Sequence, residues 1–203
     1  MTTTVLLVRH GQTNSNVTGF YMGRSDEDLD EAGHTQALRL SSRLSGWPVA
    51  SVYTSPLRRA YTTAAILAEP HMLELNLLDD LIELGLGDWQ GLHMDEIKRR
   101  WPDVWQQSRI DPSEVIMPNG ERFRQVTERA VRAFQSIVGS NPGKQVVMVT
   151  HEAIVKVIVA HVLGVSNSMY RRFEVNNASL SVVRVANGNS RLITLNDTSH
   201  LEG

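Results

Sequence analysis

Two short runs constrain this chain more than anything else in it: Val5-Leu6-Leu7-Val8 and Val146-Val147-Met148-Val149. Each is apolar at every position, so neither shows the alternation of a strand with one face in water. A strand without alternation is buried on both faces, and sheets covered on both faces are mostly parallel, with helices packed above and below. Both runs also stop abruptly in polar residues: Arg9-His10-Gly11 follows the first and Thr150-His151 the second.

The rest of the chain supplies the helices. "LDEAGHTQALRLSSRLSGW" predicts a helix with Ala37, Leu40 and Leu44 on one stripe. "VASVYTS" reads as a strand ending at Ser55. Pro56 is expected in the first turn of the helix "PLRRAYTTAAILAE", where a proline gives up no needed N–H; Leu57, Ala60, Ala64 and Leu67 line its buried face. "MLELNLLDDL" is a further strand and its exit. "ERFRQVTERAVRAFQSIVG" is the most regular helix, with Phe123, Val126, Ala130, Phe134 and Ile137 at three-and-four spacing. "AIVKVIVAHVLG" is a nearly all-apolar helix stopped by Gly164, and "LSVVRVANGNSRLITLN" reads as a hairpin around Asn187-Gly188-Asn189. Strands alternating with helices imply one α/β domain over residues 1–203. It is expected to have three layers, a mostly parallel central sheet with helices on both faces and a C-terminal antiparallel hairpin. Between about residues 84 and 118 the pattern weakens around Trp89, Trp101, Trp105 and three prolines. That region reads as an excursion with short helices, a candidate lid.

Composition removes several function classes. The formal net charge is −2, from 20 basic and 22 acidic residues, so no basic patch for nucleic acid is indicated. No apolar stretch approaches the length that spans a bilayer, and no membrane partner is expected. Cysteine is absent, which excludes disulfides, thiolate catalysis and thiolate metal sites and suits a cytoplasmic protein. No His-x-x-x-His or carboxylate cluster argues for a metal, and no cofactor is expected. The oligomeric state is open, with a homodimer among the options.

Ligands of open α/β sheets sit beyond the carboxyl ends of the parallel strands. Three strands here end in groups suited to an anion: Arg9-His10-Gly11, Ser55 followed by Arg58 and Arg59, and Thr150-His151. Each has a plain reading, since a lone histidine at a strand end is more often solvated than catalytic. Arginines in a first helical turn usually face water, and the helix dipole does not favour them there. Together, these arginines, the two histidines and two helix N-termini at one sheet edge make a site for a multiply charged anion, with phosphate the best fit. Gly11 lets the backbone turn away without placing a side chain in the pocket.

The stretches "LLVRHGQTNSN", "YTSPLRRAYTTA", "LIELGLGDWQG" and "VVMVTHEAIVK" resemble, in order, the four signatures of the histidine phosphatase superfamily, the phosphoglycerate-mutase-like proteins. "GRSDEDLDEAGHTQA", "MPNGERF" and "NNASLSVV" resemble further family segments, so the likeness covers nearly the whole chain. The resemblance implies that His10 is the nucleophile that becomes phosphorylated and that Arg9 clamps the phosphate. It implies that Arg59, the arginine directly before the alanine, is the second phosphate-binding arginine, rather than Arg58. It also implies that Glu83 donates the proton, that His151 hydrogen-bonds the transferring phosphoryl group and that Asn16 is a further phosphate ligand. No divalent metal is required by such a mechanism.

Three positions depart from the family pattern. Glu152 stands where many members have glycine; a carboxylate suits a first helical turn, and beside an anion site its side chain is expected to point away. Gln12 replaces a common glutamate, and "GER" replaces G-E-S near residue 121. The cofactor-dependent mutases of the family are longer and carry N-E-R-H-Y-G around the acid, where this chain has "ELGLGDW". The resemblance therefore implies a phosphatase for small phosphorylated metabolites, of the kind that includes α-ribazole-phosphate and phosphoserine phosphatases. A phosphoglycerate mutase is the runner-up, and a non-catalytic phospho-ligand binding module the alternative of another class. Tyr21, Met22, Trp89 and Trp105 are candidate substrate contacts, with local lid core the competing reading. His34, His71 and His200 read as surface residues, His161 as a buried structural residue, and His93 as a residue of the lid region, with substrate contact the less favoured reading.

Overall fold

In the computed structural model, which describes residues 1–202, the two apolar runs lie side by side as parallel strands. The elements in chain order are β1 (Thr2–Arg9), α1 (Asn14–Thr18), β2 (Phe20–Tyr21), α2 (Glu31–Leu44), β3 (Val49–Thr54), α3 (Arg58–Ala68) and β4 (Leu75–Leu77). They continue with β5 (Leu92–His93), α4 (Met94–Arg100), α5 (Pro102–Ile110), α6 (Phe123–Ser140), β6 (Gln145–Thr150), α7 (Glu152–Leu163), β7 (Leu180–Ala186) and β8 (Asn189–Asp197). The main sheet has the order β4-β3-β6-β1-β7-β8. Its first four strands are parallel, and β7 and β8 complete it as an antiparallel edge.

The unbroken apolar runs have the expected cause. Val5, Leu7, Val146 and Met148 point to the α6 and α7 face, while Leu6, Val8, Val147 and Val149 point to the α2 and α3 face. All eight are 0% exposed. Fully burying side chains of this size is worth about 1.5–3 kcal/mol each, so the two central strands anchor both cores at once. The hairpin turn forms where Asn187 and Gly188 both take positive φ, the requirement of a tight two-residue turn that matches strand twist.

The sheet order is what builds the site. β6 lies between β3 and β1, and the register pairs Val149 with both Thr54 and Val8, and Thr150 with Arg9. The three strands therefore end at one level, and the residues that follow them meet. α3 starts later than the sequence suggests. Leu57 is its N-cap in extended backbone, so Pro56 precedes the helix instead of occupying its first turn. Ser55 accounts for the delay: its Oγ accepts from Leu57 N–H (3.3 Å) and sits 2.8 Å from His151 Nε2, which holds the chain extended past the strand end.

Residues 84–118 contain β5, α4 and α5. β5 pairs with β2, and Trp89, 1% exposed, joins Tyr21, Trp101 and Trp105 in one aromatic cluster. This cluster merges with the α6-side core, so the excursion is fastened to the body of the domain. Three histidines depart from expectation. His71 is half-buried, with its Nε2 covered. His161 lies in the last turn of α7, after the buried run ends, and is exposed against the Phe134 ring. His200 is half-buried, bridged to Ala178 O and Arg43, where it was expected to be solvated. No helix among the described residues is long and apolar enough to cross a membrane.

Candidate active site

His10 extends the β1–β6 ladder by one residue, its N–H donating to Thr150 O (3.0 Å). His10 is 4% exposed and lines a pocket of about 320 Å³. Nδ1 lies 2.7 Å from Gly11 O. A carbonyl only accepts, so Nδ1 carries the hydrogen and Nε2 is left with its lone pair. Burial first, then the Arg9 and Arg59 charges, push the His10 pKa well below the ordinary histidine value. The ring is therefore neutral and nucleophilic at neutral pH.

Gly11 is required for a reason other than the one expected. A Cβ there would lie 2.5 Å from Gly33 O, in the first turn of α2. The glycine allows two backbones to touch, which seats β1 against α2. Thr63 adds a second tie, accepting from Gly11 N–H (3.1 Å) and donating to Arg59 O (2.7 Å).

Arg59 and Arg58 diverge although adjacent. Arg59 is 3% exposed and lines the pocket, held by Ser25 O (2.9 Å) and Gly23 O (2.7 Å). Arg58 points outward to Asp26 and Asp28. Arg9 lines the pocket too, donating from one terminal nitrogen to Val175 O (2.7 Å), while its Nε is buried without a partner. Asn16 Oδ1 accepts from Thr13 N–H, Thr13 Oγ1 and Asn177 Nδ2, all within 3.1 Å. With its oxygen saturated, its amide NH2 is the group left to donate into the pocket that Asn16 lines.

His151, 0% exposed, stands edge-on behind His10 with ring centroids 5.1 Å apart. Burial, His10 and the two arginines hold its pKa well below the ordinary value. Its Nε2 faces Ser55 Oγ, and its Nδ1 is buried with no partner. A buried orphan of this kind costs about 1–3 kcal/mol. Arg9 Nε and His151 Nδ1 are both such groups at one strand edge; Arg9 lines the pocket, and His151 lies behind its His10 wall.

Glu83 lines the same pocket, its Oε1 accepting from Leu84 N–H (2.7 Å). Burial outweighs that bond and the neighbouring arginines, so its pKa is raised above the ordinary carboxyl value. The loop that carries it is pinned from behind. Arg129 donates to the carbonyls of Asp80, Ile82 and Glu83 and pairs with Glu121, which also accepts from Gly85 N–H and Arg24. Gly87 has φ +56, and a Cβ there would lie 2.1 Å from Pro118 O. The loop around Leu86 is thus closed against residues 117–121.

Glu152 does not point away. It lines the pocket with Oε2 3.3 Å from Arg9 and Oε1 2.5 Å from Lys156. Burial alone would raise its pKa, but Arg9 and then Lys156 outweigh it and hold the carboxyl below the ordinary value. The cause lies in the register: Arg9 and Thr150 are partners on adjacent strands, so the residue two beyond Thr150 reaches Arg9. Of the candidate substrate contacts, Tyr21 and Met22 line the pocket. Trp89 and Trp105 do not; they pack against Tyr21 within the aromatic cluster, with ring centroids 6.2 and 5.8 Å from it. His93 also lies outside the lining and caps α4 through Nδ1. Reading the sequence missed Asn177, whose Nδ2 reaches His10 O (3.2 Å) as well as Asn16, and the pocket residues Arg109, Tyr170 and Arg171. Arg109, Tyr170 and Arg171 carry no local pattern that marks them, whereas Asn177 lies in the segment "NNASLSVV" that resembles the family. Among the described residues, no group of three or more His, Cys, Asp or Glu side chains is placed to hold a metal ion.

Residues 5–198 match the family model described as histidine phosphatase superfamily (branch 1). The chain is 32% identical to phosphoserine phosphatase 1 of Hydrogenobacter thermophilus over 97% of this chain and 93% of that protein. It is 32% identical to the metal-independent phosphoserine phosphatase of Arabidopsis thaliana, over 98% and 83%. Among solved structures, Bacillus stearothermophilus YhfR superposes with a TM-score of 0.95 at 33% identity, over 98% of this chain and all of that one. The pocket at the ends of β1, β3 and β6 and a sequence match running almost from end to end lead to one conclusion: this chain belongs to the histidine phosphatase superfamily.

Proposed function

We propose that this protein hydrolyses the phosphomonoesters of small metabolites through a phosphohistidine on His10. One observation carries the reading: a buried, neutral imidazole, with Nδ1 locked to Gly11 O and Nε2 free, shares a pocket with two guanidinium groups and a carboxyl of raised pKa. Arg9, Arg59 and the Asn16 amide hold the non-bridging oxygens and offset the charge that repels nucleophiles. Nε2 attacks phosphorus as the P–O ester bond breaks, and protonated Glu83 gives its proton to the departing alkoxide. Water then attacks phosphorus and the P–N bond breaks. Glu83, now a carboxylate, takes the water proton, and phosphate leaves. With Ser55 O–H donating to His151 Nε2, His151 Nδ1–H is the donor that meets a phosphoryl oxygen.

Residues 84–118 act as a fixed roof, contributing Leu84, Leu86 and Arg109 to the lining. A single domain over the whole chain and a cytoplasmic location, which the absence of cysteine suits, belong to the same reading. Nucleic acid is not a partner in it, and the small phosphorylated substrate is the one ligand it needs.

The test is phosphate release from a panel of alkyl phosphomonoesters in excess EDTA. Turnover is expected to survive chelation. With 3-phosphoglycerate and a bisphosphoglycerate primer, phosphate release with little 2-phosphoglycerate is expected. Efficient isomerisation with negligible release would make the protein a mutase. Binding without turnover would make it a phospho-ligand module, and loss in EDTA restored by Mg²⁺, Mn²⁺ or Zn²⁺ would contradict the metal-free mechanism.

A further inference from the structure

Arg9 and Arg59 account for the reacting phosphoryl group, yet two more arginines line the pocket: Arg109 in the last turn of α5 and Arg171 in the 3-10 turn Asn167–Arg172. They come from distant segments that the fold joins, since Arg171 Nε donates to Ser108 O (2.9 Å), the carbonyl beside Arg109. Arg109 is steadied over the Trp105 ring at 5.7 Å. Several other exposed arginines are paired, as Arg58 is with Asp26 and Asp28, Arg124 with Glu128, and Arg132 with Asp80; the exposed and unpaired Arg122, Arg172, Arg184 and Arg191 lie outside this pocket's lining. Among the described residues, neither Arg109 nor Arg171 makes an ion pair with a carboxylate.

The acids in the pocket do not fill that role. Glu83 serves the chemistry, and Glu152 is already held by Arg9 and Lys156. Burial and then the Arg109 charge lower the Arg171 pKa, and together they outweigh the opposing Tyr170, Tyr21 and Glu152. Two like charges lining one pocket are relieved by an anion, and guanidinium forks suit carboxylate and phosphate oxygens. A pocket of about 320 Å³ brings a group on a small alcohol within reach of this pair while the ester phosphate is at His10.

We propose that Arg109 and Arg171 bind a second anionic group, a carboxylate or another phosphate, on the alcohol half of the substrate. The preferred substrates are then small phosphomonoesters with two anionic ends. Phe20, Met22 and Leu86 line the pocket for the carbon skeleton between them. The inference rests on the phosphatase reading, and it excludes neutral sugar and alkyl phosphates as the best substrates.

Two matched substrate pairs test it: 3-phosphoglycerate against glycerol 3-phosphate for a carboxylate, and fructose 1,6-bisphosphate against fructose 6-phosphate for a phosphate. The wild-type protein is expected to favour the more anionic member of at least one pair by about tenfold or more in kcat/KM, the usual worth of a charge-assisted contact. That preference should shrink as salt rises. In Arg109→Gln/Arg171→Gln it should fall to within about threefold, through a higher KM for the anionic member, as for a contact made equally in ground and transition states. Arg171→Lys in an otherwise wild-type chain should keep part of it. Wild-type turnover without a preference in either pair, a preference that ignores salt, or one that survives the double substitution overturns the arginine assignment and leaves the phosphatase reading standing. A wild-type protein that hydrolyses no ester of the wider panel overturns that reading, and the inference with it; one that hydrolyses panel esters but none of these four overturns the inference alone.

Discussion

His10→Ala is expected to lose turnover by a factor on the order of 10⁴–10⁶, the scale seen when a covalent nucleophile is removed. The loss should fall on kcat. Arg9 and Arg59 reach the pocket from β1 and α3 through contacts that do not include the His10 ring: Arg9 is held by Val175 O, and Arg59 by Ser25 O and Gly23 O. The variant should therefore still bind inorganic phosphate, with an affinity within about tenfold of wild type. The ring is buried, so its removal costs some stability, and the thermal midpoint of the variant belongs beside its kinetics. Turnover within tenfold of wild type, in a folded variant, would mean that another group attacks phosphorus.

Glu83→Gln carries the second large effect, and it separates a proton donor from a merely important side chain. Glutamine keeps the shape and still accepts from Leu84 N–H, as Glu83 Oε1 does now, but it has no proton to deliver. An alkyl alkoxide is a strongly basic leaving group and needs that proton in the transition state. A nitrophenolate leaves without one. Phosphorylation of His10 by an alkyl phosphate should slow by about 10²–10⁴, the range of general acid catalysis, and by much less with p-nitrophenyl phosphate. Single-turnover measurements must isolate this step, because the same carboxylate serves as base toward water in the next. The sign of the pH effect follows from the raised Glu83 pKa. The acid works while protonated, so phosphorylation by an alkyl phosphate falls as pH rises through that pKa. Glu83→Gln should remove this basic limb. Equal losses on both ester types would assign Glu83 to holding the loop.

Much of the site was legible because strand ends are legible. Runs apolar on both faces placed β1 and β6 in the interior of a parallel sheet, and the polar residues just beyond them had to gather at its edge. What stayed hidden depends on which strands are neighbours. Glu152 was expected to turn from the anion site because a single segment shows only its own helix start; it faces Arg9 because β6 lies directly beside β1 in register. The contacts of Asn177 and Arg171 were invisible for the same reason, as their partners lie far away in sequence. His161 misled because an apolar helix reads as buried along its whole length, whereas its last turn runs out past the core. Trp89 and Trp105 carry no local mark separating pocket wall from lid core, and the cluster with Tyr21 and Trp101 decided it. Arg58 and Arg59 were told apart by family resemblance alone, and helix geometry then sends one outward and one inward.

The central claim is a covalent bond between phosphorus and one particular nitrogen. Rapid mixing of the wild-type protein with labelled substrate, quenched in alkali where phosphohistidine survives, tests it most directly. Because Nδ1 donates to Gly11 O, the label should sit on Nε2 of His10, be lost in acid, and form and decay at rates that match turnover. Turnover with no labelled protein at any time point, or label on another residue or on Nδ1, would contradict it.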